Sequence, residues 1–155
     1  MTDTATNNTT ATSTTGLVGW RAAVHRVYRY LIRLYVVAIV VLIFLAGEGI
    51  FGDHATKIAD AKSLDPHRAL GSLLGLVAVV LFLLALAARV NRSTVIRTLI
   101  LAVLALIAQP ALAGGGENNK WVGGFHVIDG IIILGLSAQL AYEAHRRPAH
   151  DRAAS

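Results

Sequence analysis

Four long apolar runs constrain this chain more than any other feature. They occupy residues 34–51 (LYVVAIVVLIFLAGEGIF), 69–88 (ALGSLLGLVAVVLFLLALAA), 98–113 (TLILAVLALIAQPALA, extendable back through Val95) and 121–142 (WVGGFHVIDGIIILGLSAQLAY). A helix rises about 1.5 Å per residue, so about 20 such residues cross the hydrocarbon core of a bilayer. The runs lack the apolar–polar alternation of membrane strands, which excludes a β-barrel. A soluble domain of 155 residues with 55% hydrophobic and 15% charged content could not bury so much apolar surface. The sequence therefore predicts an all-α fold, an integral membrane four-helix bundle in a single domain over 17–145. Its spans are expected at about 27–51, 67–89, 94–113 and 121–143.

The flanks carry the charge. Residues 1–16 form a Thr/Asn/Ala tract with little to bury, expected as a disordered tail and lacking the order of a signal peptide. Residues 146–155 form a basic tail. Arg21, Arg26, Arg29 and Arg33 precede the first span, Arg89, Arg92 and Arg97 separate the second from the third, and Arg146, Arg147 and Arg152 follow the fourth. The other two connections balance Lys57, Lys62, Arg68 and Lys120 against Asp53, Asp60, Asp65 and Glu117. The positive-inside rule then predicts both termini on the cytoplasmic side. Arg21, His25, Arg29 and Arg33 recur every four residues as one helix stripe. The net charge of +5 is thus expected to meet lipid headgroups, making the bilayer the partner and not nucleic acid.

The chain also reads as two hairpins, each an apolar helix, an outer loop, and a helix that opens on His-x-x-x-Gly. The instances are His67 to Gly71 (HRALG) and His126 to Gly130 (HVIDG). The preceding helices end on FLAG (Phe44 to Gly47) and ALAG (Ala111 to Gly114). Two crossings per half make this a parallel repeat about an axis along the membrane normal. Both histidines are then expected at the outer ends of their helices, with His126 about 7 Å deeper than Trp121.

A histidine inside a span is a functional candidate because burying it is costly. Two at matched positions suggest one shared ligand, and bis-histidine ligation of haem b is the sharpest option. Gly71 and Gly130, one turn below, would supply room for a flat macrocycle, with Gly75 and Ser137 continuing the small-residue stripe. Arg68, Lys57, Lys62 and Lys120 would face the propionates. Such a module would take a membrane redox partner or a second copy of itself. A rival from another class is a cofactor-free structural or accessory membrane protein whose glycines serve helix packing. A third is a small metal-binding or proton-coupled transporter using His67, His126, His54, Glu48 and Asp129. Asp129 is also a candidate to orient an imidazole. Pro110 should free the carbonyl four residues back and kink the third span, and Gln109 should hydrogen-bond across the bundle. The absence of cysteine, and of any Met beyond the initiator, excludes thiolate chemistry, iron–sulfur clusters and a Met axial ligand. No nucleophile elbow, phosphate loop or zinc-protease motif is present, so no catalytic residue is assigned and the reading leans away from an enzyme.

The series FLAGEG, HRALG, QPALAG and FHVIDG, spread over about residues 27–143, resembles an uncharacterised bacterial family of small four-helix membrane proteins. That resemblance implies a multi-pass protein of the bacterial plasma membrane. Leu42 stands where the family places a Gln before FLAG, whereas Gln109 keeps it in the second half. The layout is also similar to haem-binding four-helix units such as one half of haem A synthase and the b-type cytochromes. This second likeness is one of architecture and of two histidine positions.

Overall fold

A computed structural model of the chain describes residues 11–51 and 64–146. It contains four long helices: α1 (Ala11–Phe51), α2 (Asp65–Ala87), α3 (Arg92–Gly116) and α4 (Lys120–Arg146). All four are long and apolar enough to cross a membrane, and the described residues contain no strand. The helix ends fall within two or three residues of the expected spans, except at the start of α1. That helix begins at Ala11, inside the stretch expected as a tail. Extending a helix from an existing one adds a hydrogen bond per residue without a new nucleation cost, so a weak sequence can be carried along. At 41 residues α1 is about 60 Å long, twice the hydrocarbon thickness.

The helices pack in cyclic order. Each touches its two neighbours, and among the described residues no backbone contact joins α1 to α3 or α2 to α4. The last two are therefore a diagonal pair across the bundle axis. Each helix buries one narrow stripe. On α1 it is Tyr28, Ile32, Tyr35 and Ile39; on α2 Leu74, Gly75, Ala78, Leu81 and Ala85. On α3 it is Thr94, Thr98, Leu101, Ala102 and Ala105; on α4 Asp129, Ile133, Ser137, Leu140 and Ala144. The three-and-four spacing is that of a single helix face. Large apolar side chains elsewhere, such as Val37, Phe44, Leu76 and Ile131, are exposed. This is the inside-out pattern expected where lipid replaces water, and the small residues in the stripes let helices approach closely.

The turns are local chemistry. Between α2 and α3, Val90 N–H donates to Ala85 O at 3.3 Å and Arg89 N–H to Leu86 O at 3.0 Å. These bonds form a Schellman motif, with Arg89 at φ 51° where glycine is usual. The Asn91 side chain then caps α3 by accepting from Thr94 N–H at 2.8 Å. Between α3 and α4 only Glu117–Asn119 intervene. A methyl group on Gly116 would lie 2.9 Å from Gly123 Cα, and one on Gly115 would lie 2.8 Å from Val122 Cγ1. These glycines clamp α3 against α4 at the end that carries the histidines.

Pro110 does not end α3. The preceding residues, Leu104–Ala108, form a π-helical turn in which Gln109 N–H bonds Leu104 O. Proline has no N–H, so a register shift of one residue just before it leaves the Ala105 carbonyl without a helical donor. That carbonyl faces Gly75 on α2, where a methyl group would sit 3.2 Å from it. Gly75, expected to continue the small-residue stripe, serves close contact between α2 and α3.

Candidate functional site

His67 is the third residue of α2 and His126 the seventh of α4. Because these helices are diagonal, the two side chains meet near the bundle axis, with ring centres 6.5 Å apart and ring planes inclined at 68°. Both histidines are half-buried. The depth offset expected from sequence does not separate them.

Each ring is held by a main-chain carbonyl on the helix that precedes its own. His67 Nδ1 lies 2.9 Å from Leu42 O on α1, and His126 Nδ1 lies 3.2 Å from Gln109 O on α3. A carbonyl oxygen only accepts, so Nδ1 must carry the proton in both rings. In the neutral ring Nε2 then keeps its lone pair, and it has no hydrogen-bond partner among the described residues. A hydrogen-bonded Nδ1–H with an available Nε2 is the arrangement in which proteins present histidine to a metal.

The glycines one turn below are covered by those same two residues. A methyl group on Gly71 would meet only Leu42 Cδ1, at 3.8 Å, and one on Gly130 only Gln109 Nε2, at 3.5 Å. Methyl groups on Gly47, Gly114 or Gly124 would meet nothing within 4 Å. Leu42 and Gln109 stand at equal distances before FLAG's and ALAG's glycines, a spacing from which their shared role could have been found. The acceptor atoms belong to the main chain, however, and no side-chain pattern announces them.

The second half carries more polar contacts. Gln109 Nε2 donates to His126 O at 3.1 Å, so Gln109 and His126 bond each other reciprocally. This is the cross-helix bond expected of Gln109. Asp129 is buried near the Gln109 side chain, and its Oδ2 has no partner.

The remaining candidates stand apart. Glu48 is exposed near the end of α1. Arg68 is exposed and reaches Asp65 at 3.8 Å and Glu117 at 3.7 Å. His54, Lys57 and Lys62 lie outside the described residues. Among the described residues no three His, Cys, Asp or Glu side chains converge as a metal site.

At the opposite end lies a polar cluster that the sequence reading left unassigned. Arg97 on α3 pairs with Glu143 on α4, and Gln139 Nε2 donates to the same carboxylate at 3.3 Å. Both paired side chains are about three-quarters buried, and Tyr28 on α1 sits within their electrostatic reach. Arg33 reaches His145 Nδ1 at 2.8 Å. The Arg146 guanidinium stacks over the Tyr142 ring at 4.5 Å.

Residues 42–116 match a protein family described as a family of unknown function, DUF6220. The matched stretch begins at Leu42 and holds His67, Gly71 and Gln109; His126, Asp129 and Gly130 lie beyond it. No curated protein and no solved structure matches the chain.

Proposed function

We propose that this membrane protein is a bis-histidine haem-b module, in which His67 and His126 would hold one iron. The observation that carries the reading is the distance between the rings. An imidazole nitrogen lies about 2 Å from a bound first-row metal and about 1.2 Å from its own ring centre, so two imidazoles on opposite sides of one ion have centres about 6.4 Å apart. The observed separation is 6.5 Å, with both rings in the tautomer that leaves Nε2 available.

The donor set favours haem over a bare ion. Zinc takes four ligands, and the described residues bring only two to this point. Haem carries four nitrogens of its own and asks the protein for two. A group seated at Gly71 or Gly130 would touch the tip of a flexible side chain and not backbone, so Leu42 and Gln109 could give way to it. When bound, haem supplies one-electron exchange. The protein's part is to fix two imidazoles by Nδ1–H bonds to Leu42 O and Gln109 O, and to surround them with apolar helix.

The paired contacts of Leu42, His67 and Gly71 with those of Gln109, His126 and Gly130 support the parallel repeat. The arginines gathered at the opposite end support an orientation with both termini cytoplasmic and the histidines toward the outer face of a bacterial plasma membrane. A redox partner would then meet the protein in the membrane or at that face.

A reduced-minus-oxidised visible spectrum of the protein, purified in detergent from haem-replete cells, tests the proposal. The expected result is a sharp Soret and α band, with the narrow α band lost in His67→Ala and in His126→Ala. A wild-type protein without a Soret band would sink it. That outcome would favour the cofactor-free packing role, to which the close contacts of Gly75, Gly115 and Gly116 already lend support.

A further inference from the structure

The two half-sites share a scaffold but differ in chemistry. Leu42 and Gln109 occupy equivalent places, and so do Leu70 and Asp129, each directly before the glycine of its motif. The first half therefore carries two leucines where the second carries Gln109 and the buried Asp129. Leu42 and Leu70 both pack against the apolar core.

The seat of each imidazole differs as well. Each ring is held by one hydrogen bond, but His67 lies in the first turn of α2, whose N-cap Leu64 offers no side-chain cap. First turns lack a full set of helical bonds and open most easily. His126 lies a turn further into its helix, and its main-chain carbonyl accepts from Gln109 Nε2, which ties that turn of α4 to α3. Asp129 keeps a buried oxygen without a partner, which costs stability and is typically tolerated where a site requires it.

We propose that the two histidines are inequivalent ligands of the haem site inferred above, on which this proposal rests. His126 is the permanent ligand, with Gln109 and Asp129 as positioning residues, and His67 is the exchangeable one. The site thereby accepts a small lone-pair donor, of the class of carbon monoxide, cyanide or a nitrogen heterocycle, on the His67 side. A ligand taking the place of His67 Nε2 would bring its own lone pair, so the exchange would need neither oxidant nor reductant.

Single-histidine variants of the full chain, loaded with haem in detergent, separate the roles. His67→Ala should retain haem, show a broadened high-spin spectrum and bind carbon monoxide when reduced. His126→Ala should lose haem. Added imidazole should restore the six-coordinate spectrum to His67→Gly and not to His126→Gly. Replacing Gln109 and Asp129 together by Leu, which rewrites the second half as the first, should weaken haem affinity about 10- to 100-fold, whereas Asp129→Asn should keep it. Circular dichroism and size exclusion identify any variant that fails to fold, and the Gln substitution at the same histidine then takes its place. Equal haem loss from the two histidine variants in a wild-type protein that binds haem overturns this inference alone. Absence of haem from the wild type overturns the underlying reading as well.

Discussion

The two ends of the bundle hold polar groups in hydrocarbon by opposite means. At one end, His67 and His126 satisfy a single nitrogen each against main-chain carbonyls and keep the other in reserve. At the other, Arg97 and Glu143 use their charges on each other, with Gln139 adding to the carboxylate. Opposite charges that neutralise each other serve as scaffold, even though Glu143 Oε2 is left without a hydrogen bond. A ring with one nitrogen unused is open to a ligand. The comparison thus sets a proposed binding end against a bracing end, although both would look equally polar in a hydropathy plot.

The largest expected effect tests the bracing end. Arg97→Leu leaves Glu143 without its cation in a mostly buried setting, and should cost about 3 kcal/mol in detergent unfolding. Adding Glu143→Leu should recover most of that loss, because a removed pair leaves no orphan charge. If the double variant is as unstable as the single, the pair is not the brace. A smaller effect probes the binding end, which is clamped by glycines. Gly116→Ala drives a methyl group onto the Gly123 backbone and should cost about 2 kcal/mol. It should also weaken retention of the proposed haem, since it shifts α4 against α3 where Gln109 meets His126. Unchanged stability together with unchanged haem content would show that this clamp does not set the site. The smallest effect lies at the bracing end's own turn. Arg89→Gly relieves a left-handed residue and should add about 0.5–1 kcal/mol, measured as a shift in the same unfolding midpoint.

Much of the fold was legible because lipid imposes a simple rule: every backbone group is satisfied inside a helix, so length and apolarity suffice to find α1 to α4. The start of α1 was not, since the Thr-rich stretch carries no apolar signal and follows the helix it adjoins. His67, His126 and Gln109 were legible as a group through their spacing to glycine. What Gly75 touches was not legible, because it depends on a carbonyl freed by Pro110 on a different helix. Arg97 was read as a flank charge without a partner, since Glu143 lies 46 residues away and only packing unites them.

The sequence by itself therefore determined four apolar spans, charged flanks and two matched His-x-x-x-Gly motifs, since these follow from composition and spacing along one chain. Only the tertiary structure decided that α2 and α4 are diagonal, that Leu42 O and Gln109 O fix the imidazole tautomers, and that the rings stand 6.5 Å apart. Those facts depend on which helix faces meet. Uniformly apolar helices carry almost no periodic signal to specify that, so small residues and a few hydrogen bonds make the choice.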